Sequence, residues 1–317
     1  VTQSSEPRLS VERGVDVRTA ASPSVGVHAA LLTVQVLFGL WPVAGALLLV
    51  KMTPMALIFF RLGLAAPILA VAARLDRSGF PRALELLRLA GLAALGISLN
   101  QIFFIGGLAR SGPLNASICV MLIPPFTVAI GALSGREKAK ASRVLGIVVA
   151  LFGAALLVEV ERFDLSNGKM VGNLFLLVNT SLYAGYLVLV RGTIARLGAL
   201  TTVAWVMLLG AIEALPATLV PATHVAWAGL EPKHWVAMVF VVLGPTVLTY
   251  LLNAYALGRA ESSLVAVYVY AQPPIAATAS YFAFGIVPTP RTVVAALVIV
   301  IGVALSSGLL RPKDASP

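Results

Sequence analysis

"MLIPPFTVAI", Met121 to Ile130, sets two prolines side by side in a stretch with no charge and almost no polarity. In water such a pair would simply end a helix. Here the apolar run continues on both sides, and a second pair follows in "YVYAQPPIAA", Tyr268 to Ala277. Shifting that second pair back by 149 positions lays Pro273-Pro274 on Pro124-Pro125. The same shift pairs Arg259 with Arg110, Leu257 with Leu108 and Gly302 with Gly153, while a shift of 145 pairs Tyr183 with Phe38, Ala184 with Gly39 and Tyr186 with Trp41. Leu, Ala and Val match cheaply in any apolar chain. Doubled prolines, a Leu-x-Arg and a distant Gly in one register do not, so the chain reads as two copies of one unit.

Composition says where that unit lives. Of the 317 residues, 59% are hydrophobic and 11% charged, and the mean hydropathy is +0.95. A soluble domain carries about 25% charged residues, so this chain cannot cover a water-facing surface. Apolar runs of roughly 18 to 25 residues, long enough to cross about 30 Å of hydrocarbon, lie near 27–49, 54–73, 86–108, 113–134, 142–159, 170–190, 201–220, 234–256, 262–284 and 291–309. The loops between them are short, which leaves no room for a sizeable soluble domain. Each copy therefore holds five spans, and because five is odd the second copy crosses in the opposite sense. The expected fold is an all-α integral membrane protein of ten transmembrane helices, arranged as two inverted-topology five-helix repeats over 26–160 and 161–311. Many secondary transporters share this pattern, with substrate sites near the midplane between the halves. Residues 1–25 are polar and lack the apolar core of a signal peptide; they and 312–317 are expected to be cytoplasmic tails, the first of them disordered.

The basic residues orient the bundle. Alternate segments and the span ends beside them, starting with the N-terminal one, carry sixteen of the 23 Lys and Arg, the opposite side six, and Arg61 alone lies well inside a span. By the positive-inside rule both termini are cytoplasmic, which for a bacterial chain means the inner membrane. The net charge of +10 could otherwise suggest nucleic acid, but the basic residues form no patch with interleaved aromatics. The expected partners are a small-molecule substrate and membrane lipids, in a monomer or a homodimer. A single cysteine, Cys119, excludes an intramolecular disulfide and a Cys-based metal site. No cofactor or metal is expected.

Each proline lacks an N–H, so in mid-helix the carbonyl four residues back loses its partner. Those carbonyls belong to Val120 and Met121, and to Val269 and Tyr270. At membrane depth free carbonyls are tolerated only against protein, water or a cavity. Pro124, Pro125, Pro273 and Pro274 are thus either packing kinks or kinks that shape a cavity, and their symmetry favours the second.

The stretch from Leu108 to Leu156 resembles the repeat of the drug/metabolite transporter superfamily, EamA-type, in "GLAR" (Gly107–Arg110), Pro124, Glu137, Gly146 and Gly153. "ALGR" (Ala256–Arg259), "QPP" (Gln272–Pro274), Gly285 and Gly302 repeat it, and Gly39 and Arg61 in "FFRLGLAAP" fit the family's first two helices. Two positions depart from the pattern. Ile286 stands where the first half has Glu137, and the usual Trp-Gly of span one reads Phe38-Gly39. The resemblance implies ten helices, both termini inside, export of small metabolites such as amino acids, and peripheral fifth and tenth spans.

Polar side chains at lipid depth are expensive and usually face the interior. Thr246, Thr249, Tyr250 and Asn253 fall on one helical face of span eight. Asn179, Tyr183 and Tyr186 form a stripe in span six, Gln35, Phe38 and Trp41 one in span one, and Asn100, Gln101 and Phe104 one in span three. With Tyr268 and Gln272 beside the second proline pair, these residues are candidates to line a substrate cavity. Such a wall of aromatics with few hydrogen-bonding groups suits a small, partly apolar solute; for any single Asn or Gln the alternative is interhelical glue. Arg61 and Glu213 are the ionisable groups well inside spans, and spans two and seven are repeat mates, which brings an Arg61–Glu213 contact within reach. Glu213 is either the proton-coupling carboxylate or a glutamate near its interface. Export by alternating access, with proton coupling as an option, is the expected function.

Two other classes compete. A flippase for lipids or lipid carriers would want a laterally open, more basic groove than Arg61 alone provides. An intramembrane enzyme has its best trace in Gly96-Ile97-Ser98-Leu99, but a nucleophilic Ser needs a base in reach. His28, His224 and His234 fall at span ends or in loops, and no Asp lies within a span. No catalytic residue is assigned.

Overall fold

A computed structural model describes residues 24–75, 80–134, 141–162, 164–257 and 268–307. Most of the N-terminal tail, the C-terminal tail, Glu137, Arg259 and the first part of the ninth run lie outside the described residues. In hydrocarbon every backbone N–H and C=O must be satisfied within the chain, and a helix does this segment by segment. The elements are α1 (Val25–Leu49), α2 (Pro54–Leu75), α3 (Ala83–Ala93), α4 (Leu99–Val120), α5 (Ile123–Leu133) and α6 (Ala141–Val158), then α7 (Gly168–Leu197), α8 (Ala199–Thr223), α9 (Pro232–Val242), α10 (Thr249–Leu257), α11 (Gln272–Phe284) and α12 (Pro290–Ser307). No strand occurs among the described residues.

Among the described residues six stretches are long and apolar enough to cross a membrane: Val25–Leu49, Pro54–Leu75, Ala83–Val120, Gly168–Leu197, Ala199–Thr223 and Pro232–Asn253. Large apolar side chains face outward, Phe282 being 81% exposed, while the charged Arg61 is 6% exposed. That polarity, inverted relative to a soluble protein, is what a lipid solvent demands.

The third stretch runs for 38 residues, about 57 Å of helix at about 1.5 Å per residue, which is far more than one crossing needs. It is interrupted at Gly112, where φ is 82° and ψ 172°, a left-handed backbone that glycine adopts without a steric penalty. Pro113 restarts the helix. The connection expected over 109–112 therefore narrows to one non-helical residue.

The proline pairs work differently from the expected mid-helix kink. α4 ends at Val120, and Met121 and Leu122 form a tight turn, their N–H groups donating to Ile118 O (3.1 Å) and Cys119 O (3.0 Å). Pro124 and Pro125 then occupy the first turn of α5, and Pro273 and Pro274 that of α11, after a one-turn 3-10 segment at Val269–Ala271. In a first turn the N–H has no intrahelical partner to lose and the fixed φ of proline suits the helix. The prolines start new helical segments. They do not strip Val120 and Met121 of bonds inside one continuous helix. From α7, the Thr180 hydroxyl lies 3.2 Å from the Cys119 carbonyl at this break.

A second symmetric interruption links α3 to α4 and α9 to α10. Both joints are π-turns, Ala94–Ser98 and Leu243–Leu248, whose first residues lie 149 positions apart, the register of the proline pairs. Each carries a hydroxyl near the carbonyl five residues back: Thr246 donates to Val241 O (2.8 Å), and Ser98 Oγ lies 3.5 Å from Ala93 O. π-turns concentrate at functional sites because they open the helical ladder locally.

Packing pairs repeat mates at two places, α2 along α8 and α6 along α12. α4 and α5 lie along α7, as their counterparts α10 and α11 lie along α1, and α1 meets the second π-turn as α7 meets the first. Between α6 and α12 the backbones touch: a Cβ on Gly146 would stand 2.3 Å from Ser306 N, and one on Gly302 2.3 Å from Ala150 N. Outside the apolar stretches the ends are capped locally. Glu231 and His234 form a reciprocal cap at the start of α9, and the hydrogen bond and charge of Lys233 hold the Glu231 carboxyl below its ordinary value.

Candidate functional site

Arg61 is the eighth residue of α2, and its guanidinium reaches inward between the two π-turned helices. Nε donates to Thr246 Oγ1 at 2.9 Å, and Nη1 donates to Gln101 Oε1. Thr246 spends its own proton on the Val241 carbonyl, so its lone pairs face the cation. Below the guanidinium lies Trp41, with the ring centroid 4.3 Å from Cζ, a cation–π contact that strengthens as water is excluded. Trp41 in turn stacks on Phe104, centroids 5.9 Å apart at 20°. Gln101 and Tyr250 are equivalent under the 149 shift, so the cation meets the same level of both halves.

The aromatic wall continues on α7. Tyr183 and Tyr186 lie 5.7 Å apart, and Tyr186 rests on the first π-turn so closely that a Cβ on Gly96 would come within 2.5 Å of its ring. Trp41, Phe104 and Tyr186 are each 6% exposed or less. Tyr183 and Tyr250 are half-buried against the same core.

Other candidates are used up in holding helices together. Asn100 Nδ2 donates to Asn179 O (3.2 Å) and Asn179 Nδ2 to Asn100 O (3.0 Å), a reciprocal tie between α4 and α7. Gln101 Nε2 also donates to Asn100 Oδ1 at 3.0 Å, so the tie and the Arg61 cluster form one network. Thr249 returns its hydroxyl to Pro245 O (3.0 Å) and is fully buried. Gln272 Nε2 donates to Gln35 Oε1 at 2.6 Å, joining α1 to α11; there Gly39 brings the backbones close, a Cβ on it falling 2.8 Å from Ile275. Asn253 is half-buried on α10. Tyr268 belongs to a separate small cluster with Val27, Leu31 and Ala256, its hydroxyl 2.6 Å from His28 Nδ1. Trp41 lies 13 residues further along α1, about 20 Å away at about 1.5 Å per residue. Tyr268 is therefore not part of the Arg61 cluster.

Glu213 does not join Arg61. It lies on the exposed face of α8, where its Oε2 accepts from Ser98 Oγ at 2.7 Å. Among the described residues Arg61 has no carboxylate within ion-pair distance. Spans two and seven do pack together, but α8 is rotated so that Glu213 meets the first π-turn instead. The serine for which the sequence offered no base thus does have a carboxylate acceptor. The Ser98–Glu213 pairing had no sequence signal, because the two positions are 115 residues apart and fall in spans that are not repeat mates. Thr246 and Gln101 did carry one: both lay on the polar stripes of spans eight and three. No group of His, Cys, Asp and Glu that could hold a metal occurs among the described residues.

The chain is 27% identical over 273 residues to an uncharacterized transporter of Archaeoglobus fulgidus, covering 83% of this chain and 93% of that protein. A Streptantibioticus cattleyicolor protein named "Probable terminal-alkyne amino-acid exporter" is 25% identical over 246 residues, covering 77% of this chain and 81% of its own length. A solved crystal structure at 20% identity superposes with a TM-score of 0.61, covering 91% of this chain and 99% of that one, a likeness of fold. The EamA-like transporter family model matches twice, at residues 26–159 and 170–308. Two tandem matches spanning most of the sequence account for the repeat and for the membrane-suited surface, and the chain belongs to the EamA-like transporter family.

Proposed function

We propose that this chain exports small, partly apolar metabolites, such as amino acids, across the bacterial inner membrane by alternating access around the Arg61 cluster. The observation that carries the reading is the seat of Arg61: one buried cation held between the π-turned helices of both halves and laid on Trp41, which stacks on Phe104, with Tyr186 and Tyr250 in the same core. A solute lodged there touches both repeats at once, so a rocking of one repeat against the other would change its exposure. In this reading ten helices cross the membrane as two inverted five-helix repeats, with both termini cytoplasmic. The breaks at Met121–Leu122 and Val269–Ala271 and the two π-turns give each half the deformable backbone that such a motion needs. The name of the Streptantibioticus relative supports amino acids as the first solutes to test.

Proton coupling is assigned to Glu213, whose carboxylate bonds the π-turn that leads into Gln101 and Arg61. The test is counterflow in proteoliposomes with a panel of radiolabelled amino acids and nucleosides. At least one member should exchange in wild type and lose most of its exchange with Trp41→Ala. Absence of exchange for every member would overturn the reading. Glu213→Gln should remove pH dependence from that exchange; an unchanged pH profile would leave transport intact and remove Glu213 from coupling.

A further inference from the structure

Arg61 is the only Arg, Lys, Asp or Glu buried among the described residues, and both side-chain oxygens that meet it are neutral. A guanidinium offers five N–H donors. Thr246 and Gln101 take one each, which leaves three, both on Nη2 among them, without an acceptor among the described residues. Proteins rarely hold such a charge at membrane depth without a counter-ion, because an unpaired buried ion is strongly destabilising. Glu213, the acid on the repeat-mate helix, bonds Ser98 on an exposed face instead. Trp41 offsets part of the cost through its ring face but supplies no negative charge.

From this uncompensated cation we infer that the transported solute brings the counter-ion: a carboxylate that seats on the free edge of the Arg61 guanidinium. The inference deepens the proposed function and rests on it. One buried cation matches a single negative charge better than a doubly charged phosphate, which would leave one charge uncompensated. The fork of two N–H groups fits the two oxygens of a carboxylate. Thr246 and Gln101 fix the plane of the fork, and the stacked Trp41 and Phe104 keep it from rotating. The apolar remainder of the solute meets Phe104, Tyr186 and Tyr250. Thr246 and Gln101 act as positioning residues, through Arg61.

The experiment separates this inference from the transport reading. Purified full-length protein in detergent is heated with leucine, isovalerate, leucinamide, isoamylamine or inorganic phosphate, and its Tm is recorded. Leucine and isovalerate, which share the carboxylate, should raise Tm; the amide, the amine and phosphate should not. Arg61→Gln should weaken the carboxylate effect at least about tenfold in ligand concentration, and Arg61→Lys, which keeps a point charge but loses the fork, should fall between. Because the wild-type comparison stands alone, a variant that fails to fold does not spoil it. Equal stabilisation by leucinamide and leucine, or stabilisation by phosphate, overturns the carboxylate inference and leaves transport standing. Counterflow of nucleosides but of no amino acid also overturns it, whereas absence of any counterflow brings down both.

Discussion

Two contacts between the halves are built from the same repeat and behave in opposite ways. The α6–α12 seam is symmetric: Gly146 lies against Gly302 O, and the positions 149 apart from them, Ala295 and Gly153, meet in the same manner, a Cβ on Gly153 falling 3.0 Å from Ala295 O. The Arg61 centre is asymmetric. Between 145 and 149 positions after Arg61 stand Val206 to Gly210, without an ionisable group, and Gly210 packs against Ile97 of the first π-turn. At the level where the first half presents Gln101, the second presents Tyr250. The repeat supplies the scaffold at the seam. The chemistry lies where its symmetry is broken, because two identical cations facing each other across an axis would repel, whereas one can be held by neutral dipoles from both sides.

The sharpest way to break this contrast is at the seam. Gly302→Val would drive a side chain into the Ala150 backbone, 2.3 Å away, where no rotamer change relieves the clash. A stability loss at or above the upper end of the ~1–3 kcal/mol typical of overpacking is expected, read as loss of a monodisperse peak in detergent chromatography. Wild-type behaviour would mean that the seam does not carry the scaffold. Gly96→Ala tests the centre: its Cβ would meet the Tyr186 ring at 2.5 Å, but a ring can shift. We expect a loss of about 2 kcal/mol together with weaker solute affinity in counterflow, and an unchanged KM would separate Tyr186 from the solute.

Asn100→Ala removes half of the reciprocal tie and takes the side-chain donor from the Asn179 carbonyl. A cost of about 1 kcal/mol is expected, with solute preference unchanged; a changed preference would return Asn100 to the cavity wall. Ser98→Ala should be the mildest, below about 1 kcal/mol, because the exposed Glu213 can find another donor. A larger drop in Tm would mark the Ser98–Glu213 bond as a structural strut.

The candidate site was partly visible beforehand, and its residues show why only partly. Arg61, Trp41, Phe104, Tyr183, Tyr186 and Tyr250 stood out because a charge or an aromatic stripe at lipid depth is rare and has a helical period. They do share one core. Asn100, Asn179, Gln35, Gln272 and Thr249 stood out for the same reason, yet they hydrogen-bond one another or their own backbone. Periodicity reveals which face a polar group occupies. It does not reveal whether another helix has already satisfied it. Tyr268 was drawn in by its neighbourhood to the prolines and belongs to another cluster, with His28.

The amino-acid sequence by itself determined the solvent, the helical class and the doubling of the unit, since hydropathy, length and register are properties of a single strand. It also determined that the backbone is interrupted beside both proline pairs, because a missing N–H is covalent. Only the tertiary structure decided that those prolines open helices, that two π-turns sit in register, that Glu213 answers Ser98 and that Arg61 answers Gln101 and Thr246. A hydrogen bond depends on ångström-scale distance and direction between groups 40 to 185 residues apart. The rotation of one helix against its neighbour sets those quantities, and the packing of the whole bundle sets that rotation.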